Sequence, residues 1–216
     1  MPQIFHPSFN TLSRVSIFGA VFFLGAAVWG WDTLLRSSYN TQVNVARHQP
    51  VPFSHKHHVA GLGIDCRFCH TSVEEAGFAG LPPTKTCMGC HSMVWKDAPM
   101  LEPLRESYRS DQPIPWIRVH DLPDFAYFDH SIHVKKGIGC TTCHGEVDEM
   151  PLMWRTETLN MDWCLGCHRD PVAHVRPRER VFDVSFDPGT LAADERAALA
   201  ERYHVQSLTN CSVCHR

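Results

Sequence analysis

Apolar and polar positions are unevenly distributed along this chain. From Val15 to Trp31 there is no charge, and with Leu12 and Ser13 ahead of it the run approaches the roughly 20 residues a helix needs to cross a bilayer. Trp29 and Trp31 close the run as amphipathic rings suited to a membrane interface. The pattern then turns polar: Ser37, Ser38, Asn40, Gln42 and Asn44 lead to Pro50 and Pro52, the composition of a stalk. Beyond it no long periodic stretch appears, and prolines and glycines punctuate the sequence closely enough to predict short helices in a mostly irregular chain. One stretch differs. The alanine-rich run from Thr190 to Tyr203, preceded by Pro188-Gly189 with Asp187 as a turn or cap residue, predicts a helix.

The cysteines explain why so little periodic structure is needed. All ten fall in five copies of Cys-x-x-Cys-His: Cys66, Cys69 and His70; Cys87, Cys90 and His91; Cys140, Cys143 and His144; Cys164, Cys167 and His168; Cys211, Cys214 and His215. This is the attachment motif of c-type haem, in which two thiols form thioethers with the porphyrin and the adjacent His is the proximal ligand of the iron. Zinc ribbons, disulfide frameworks and redox dithiols also use Cys-x-x-Cys, but none of them requires a His after every copy. Five covalently bound haem c groups are therefore expected. Their porphyrins would supply buried apolar surface that a chain of 216 residues otherwise builds from aliphatic side chains.

Haem attachment also orients the apolar segment. In bacteria covalent c-type attachment takes place outside the cytoplasm, so the chain is read as single-pass in the cytoplasmic membrane with its haem region periplasmic. Residues 1–14, with Arg14, form a cytoplasmic tail and residues 15–31 an uncleaved signal anchor; Ala26-Ala27 offers the alternative of a cleaved signal peptide. The formal net charge of -3, from 20 Lys and Arg against 23 Asp and Glu, gives no basic excess for nucleic acid binding.

A repeat organises the rest. Phe53-Ser54-His55-Lys56-His57-His58-Val59 precedes Gly63-Ile64-Asp65 and the first motif; Phe128-Asp129-His130-Ser131-Ile132-His133-Val134 precedes Gly137-Ile138-Gly139 and the third. Each copy is followed by one further motif. The expected organisation is a stalk over residues 32–52, a first two-haem unit over 53–91, a Trp- and Pro-containing connection over 92–127, a second two-haem unit over 128–176, and a helical spacer with the fifth haem over 177–216.

Within each copy the two histidines lie one helical turn apart, offering imidazoles to two different irons. His55, His58, His130 and His133 are accordingly the candidate distal ligands of four haems. For the fifth, the sequence offers Met153, Met150, His120 and His204: Met153 is the first choice, for the higher potential a thioether confers, and His120 the second. His204 stands as far before Cys211 as His133 before Cys140. His6, His48, His57 and His174 lack a repeated context and read as surface or loop residues, and Met88, Met93 and Met161 as packing residues. With five proximal histidines and sufficient distal candidates, an open iron for substrate is not expected.

The paired histidines ahead of a haem motif, Phe53 to His70 and Phe128 to His144, resemble the class III multihaem cytochromes c. The run from Pro115 to Met150, with Trp163-Cys164-Leu165-Gly166-Cys167-His168-Arg169, further resembles the pentahaem subunit of bacterial alternative complex III. That resemblance covers about residues 50–175. It implies a non-catalytic, electron-conducting subunit of a membrane quinol-oxidising complex. The implied partners are an iron-sulfur subunit, polytopic quinol-binding membrane subunits and a monohaem cytochrome c, with a periplasmic cytochrome c or a terminal oxidase as acceptor. Quinol chemistry would belong to other subunits, because the anchor has no ionisable residue between Val15 and Trp31. The alternative is a stand-alone membrane-anchored quinol dehydrogenase feeding a nitrite or nitrate reductase. Families of that kind carry four haems close behind the anchor, whereas here the stalk separates Trp31 from Cys66.

Overall fold

The computed structural model describes residues 4–216, so the first three residues of the expected tail lie outside the described residues. The chain divides into two compact units, with the boundary between Val43 and Asn44.

The first unit is dominated by helix α1, Ser8–Arg36, followed by a short α2, Ser38–Thr41. The 29 residues of α1 span about 44 Å, longer than the expected anchor at both ends. The extension has a plain cause. Asp32 and Arg36 are spaced i,i+4 and pair at 3.1 Å, and the Thr33 hydroxyl donates to the Trp29 carbonyl, so the start of the expected stalk remains helical. Ser37, with ψ at 157°, ends the helix. Among the described residues this is the one helix long and apolar enough to cross a membrane.

In the second unit, residues 44–216, short helices are set in irregular chain, and no strand forms among the described residues; a bridge joins Ile138 and Val175. The helices are α3 Cys66–Cys69, α4 Thr84–His91, α5 Glu102–Ser110, α6 His130–Lys135, α7 Thr141–His144, α8 Met161–Arg169, α9 Ala193–Arg202 and α10 Cys211–Cys214. Helix α9 lies within the predicted run 190–203, and Asp187 accepts the Gly189 N–H at the turn before it.

Two small hydrophobic cores support this unit. In one, Val51, Leu101, Leu104 and Ile114 are buried, with Cys87, Met88 and Trp116 packed against them. The connection 92–127 thereby backs the second motif. In the other, Val175, Ala200 and Tyr203 gather Ile138, Val172 and Leu199, so α9 packs behind the chain leading into the third motif. These cores are small for a chain of this length, as expected where prosthetic groups contribute buried surface.

The repeated segments fold alike with local differences. Ahead of the first motif His55 begins a π-helical turn, Lys56–Gly61; ahead of the third, α6 is α-helical. Each turn is capped at the same position, where the Ser54 hydroxyl accepts from His57 N–H and the Asp129 carboxylate from Ile132 N–H. Gly63 and Gly137 follow at equivalent places with φ of 69° and 77°, a left-handed conformation that glycine adopts without strain. The copies diverge two residues later. Asp65 caps α3 through Arg67 N–H, whereas Gly139 leaves room for the guanidinium of Arg176, which a Cβ at 139 would strike.

Candidate haem sites

Every Cys-x-x-Cys-His motif includes a helical turn, which brings both thiols to one side and presents the His beside them. In three motifs the His N–H donates to the first Cys carbonyl at 2.9 Å: His70 to Cys66, His144 to Cys140 and His215 to Cys211. None of the ten cysteines is paired in a disulfide. Burial raises the Cys140 thiol to about 11 and the Cys143 thiol to about 12.

The histidines are oriented by their second ring nitrogen. Nδ1 of four of the five proximal residues faces a carbonyl: His70 that of Gly80 at 2.8 Å, His91 that of Val94 at 3.0 Å, His168 that of Leu208 at 2.9 Å and His215 that of Phe125 at 2.9 Å. Three of the four paired distal candidates follow the same rule: His58 faces the Ser54 carbonyl at 2.8 Å, His130 that of Gly77 at 2.8 Å and His133 that of Asp129 at 2.7 Å, whereas Nδ1 of His55 is buried without a hydrogen-bond partner. A carbonyl only accepts, so Nδ1 carries the proton and Nε2 keeps the lone pair that an iron requires.

Ring positions agree with that assignment. Two imidazoles bound through Nε2 to opposite sides of one iron, each at about 2 Å, have centres roughly 6 Å apart. His58 and His91 stand at 6.2 Å, His133 and His168 at 6.2 Å, and His130 and His144 at 6.3 Å. The copies match closely: Phe53 stacks on His58 at 4.4 Å and Phe128 on His133 at 4.5 Å. His55 lies near His70, and burial followed by that neighbour lowers its pKa to about 4. Burial, with His120 next, lowers His144 to about 3, so it is neutral and ligand-competent at any physiological pH. The donor set and its geometry thus fit haem c. Each motif has a Nε2-presenting or buried neutral imidazole, and three have an imidazole facing it at iron-sandwich distance.

The candidates for the fifth distal position fall in different surroundings. Met150 is fully buried, and its carbonyl accepts from Lys56 N–H. Met153 is half-buried; His204 is exposed, with φ of 52°, and its carbonyl accepts from Lys136 Nζ. His120 is half-buried, with a buried Nε2 that has no hydrogen-bond partner. Its ring centre lies 4.3 Å from that of His144, too close for an iron between them. Of the residues set aside as packing or surface groups, Met88 packs on the first core and His57 is exposed and stacks on Trp95 at 5.5 Å, whereas Met93 and Met161 are exposed on the polypeptide.

Sequence reasoning missed several supporting residues. Phe53 and Phe128 were visible as part of the repeat, and their conserved spacing to His58 and His133 signalled a shared role. The carbonyls of Gly77, Gly80 and Leu208 carry no sequence signal, because any residue supplies a carbonyl. Arg176 was also unmarked. It is 1% exposed, donates to the Thr141 hydroxyl at 3.3 Å and lies 5.3 Å from the Phe186 ring centre.

Comparison with known proteins agrees with this geometry. The family model described as cytochrome c7 and related cytochrome c matches residues 126–216. The multiheme cytochrome c subunit of menaquinone reductase from Nitratidesulfovibrio vulgaris is 31% identical over 173 residues, which cover 69% of this chain and 80% of the relative. This chain belongs to the multihaem cytochromes c. As such a cytochrome it carries covalently bound haem c and works in electron transport. The family match begins at residue 126 and so takes in α6 and the third, fourth and fifth motifs; the longer similarity to the menaquinone reductase subunit extends over more of the chain.

Proposed function

We propose that this chain is a pentahaem, membrane-anchored electron-transfer subunit of a quinone-linked respiratory complex. One haem c would be held by each of the five motifs, through Cys66 and Cys69, Cys87 and Cys90, Cys140 and Cys143, Cys164 and Cys167, and Cys211 and Cys214. His70, His91, His144, His168 and His215 would be the proximal ligands, and His55, His58, His130 and His133 the distal ligands of the first four haems. The fifth would take Met153 or His120. When bound, haem c supplies one-electron redox chemistry at an iron whose potential follows its axial ligands and surroundings. The chain's own part is to hold imidazoles in one tautomer, to exclude water from the central motifs and to stay rigid as charge changes.

The observation that supports this reading is the set of three facing imidazole pairs at 6.2 to 6.3 Å, which would fill both axial positions of three irons and leave no coordination site for a substrate there. The subunit is therefore proposed to be non-catalytic, with quinone chemistry on partner subunits. Helix α1 would anchor it in the cytoplasmic membrane with residues 44–216 on the periplasmic side. The partner set is that of an alternative complex III: an iron-sulfur subunit, polytopic quinol-binding subunits, a monohaem cytochrome c and, downstream, a cytochrome c or a terminal oxidase.

A second reading is favoured by the relative's name, which specifies menaquinone reduction and hence electron flow toward the quinone. Purification from native membranes in mild detergent, with subunit identification and assays in both directions, separates the two. Quinol-dependent reduction of a cytochrome c supports the alternative complex III reading. Quinone reduction by a periplasmic donor supports the reductase reading. A chain purifying without an iron-sulfur or polytopic partner overturns both.

A further inference from the structure

Chain order places the second motif beside the third, but the contacts do not. The first and second motifs are linked by the turn holding His55 and His58, one imidazole near His70 and the other 6.2 Å from His91. The third and fourth are linked in the same way by α6, whose His130 faces His144 and whose His133 faces His168. The junction between the two copies forms at the first and third motifs. Nδ1 of His130 meets the Gly77 carbonyl, in the same loop whose Gly80 carbonyl orients His70. The Cys140 N–H donates to the Val181 carbonyl at 3.3 Å, while the next residue, Phe182, lies 4.6 Å beneath the guanidinium of Arg67 in the first motif. The fifth motif joins the fourth: His168 is held by the Leu208 carbonyl, and the Ser207 hydroxyl donates to the His168 carbonyl at 2.8 Å.

Exposure follows the same path. Among the ten cysteines only Cys90 of the second motif and Cys211 of the fifth are exposed.

We infer that the five motifs are strung in the order second, first, third, fourth, fifth, and that the second and fifth are the ends where electrons pass to and from partner proteins. The assignment of ends rests on the electron-transfer reading proposed above. The third motif is then the middle of the array, although it is not flanked by its sequence neighbours on both sides.

The test begins with iron positions in the haem-loaded native complex, by electron cryomicroscopy or anomalous diffraction. The iron at the first motif is expected between those at the second and third. Nearest-neighbour irons at the second and third motifs would overturn the order. A second measurement replaces Cys211 and Cys214 by Ser in the full chain, which removes the haem c at one end and leaves the buried motifs intact. In the purified complex, exchange with one partner should fall at least tenfold while the remaining haems still reduce fully from the other side. Unchanged exchange with both partners would overturn the assignment of ends. A complex without quinone-linked activity in the wild-type chain would instead remove the electron-transfer reading and leave the order to stand on the iron positions.

Discussion

At the scale of single residues, the site is built from imidazoles whose tautomer is set by backbone carbonyls. His133 illustrates the consequence: its Nδ1 is committed to the Asp129 carbonyl at 2.7 Å, so Nε2 faces His168. In His133→Met a thioether replaces that imidazole. The visible spectrum of the haem-loaded protein should gain a sulfur-to-iron charge-transfer band, and one potential should rise by on the order of 0.1 V within the about 0.8 V that axial ligands span. Redox titration that resolves a single haem checks this; an unchanged spectrum would remove His133 from the ligand set. Gly139 makes a second case. A Cβ there would strike the guanidinium of Arg176, which is 1% exposed and cannot swing into solvent. Gly139→Ala should cost about 1 to 3 kcal/mol by overpacking. The thermal midpoint of the haem-loaded chain should fall, whereas Gly89→Ala, with nothing within 4 Å of the added carbon, should leave it within a degree or two. The pattern made the candidate ligand histidines legible, because each is tied to a motif. Arg176 was not legible, since only packing between distant segments makes an arginine buried.

Elements matter here through their caps and their backing. Helix α6 is six residues long and carries two candidate ligands, so it cannot rely on its own propensity. The Asp129 carboxylate caps it, accepting from Ile132 N–H and from the Ser131 hydroxyl at 2.7 Å. Asp129→Ala should destabilise the chain by about 1 kcal/mol. It should also broaden the low-spin electron paramagnetic resonance signals of the third and fourth haems together; broadening of only one would show that α6 does not hold both. Helix α5 has a different task. Leu104, 3% exposed, anchors it in the core that backs Cys87 and Met88. Leu104→Ala should cost about 2 to 5 kcal/mol, with lower haem occupancy at the second motif measured by peptide mass spectrometry. The sequence predicted α9 within a few residues, because alanine periodicity is a local signal. It did not predict that α1 would continue to Arg36, where an Asp32–Arg36 pair extends a helix whose hydropathy had already turned polar.

For the molecule as a whole, the main expectation is stoichiometric. Pyridine haemochrome analysis and intact mass should give five haem c groups per chain, one for each Cys-x-x-Cys-His. Four or fewer after expression with a complete haem-attachment system would exclude one motif. If a cleavable export signal replaces the residues before Asn44 and the chain is produced without partner subunits, residues 44–216 should appear in the periplasmic fraction with the same haem content. Retention of that form in washed membranes would show that α1 is not the principal anchor.

The sequence by itself determined the cofactor and named candidates for its ligands. Haem attachment is written in five contiguous residues, and the paired histidines precede the first Cys of their motif by 11 and 8 residues in one copy and by 10 and 7 in the other, so local chemistry and a duplicated pattern were sufficient. It also determined the apolar segment, whose signal is again local. Only the tertiary structure decided which imidazoles face each other, that His120 lies too close to His144 to share an iron with it, and that the two copies join through the first and third motifs. The physical reason is the same in each case. These relations depend on carbonyls, ring centres and close approaches between segments far apart in the chain, and no run of residue types encodes a distance of that kind.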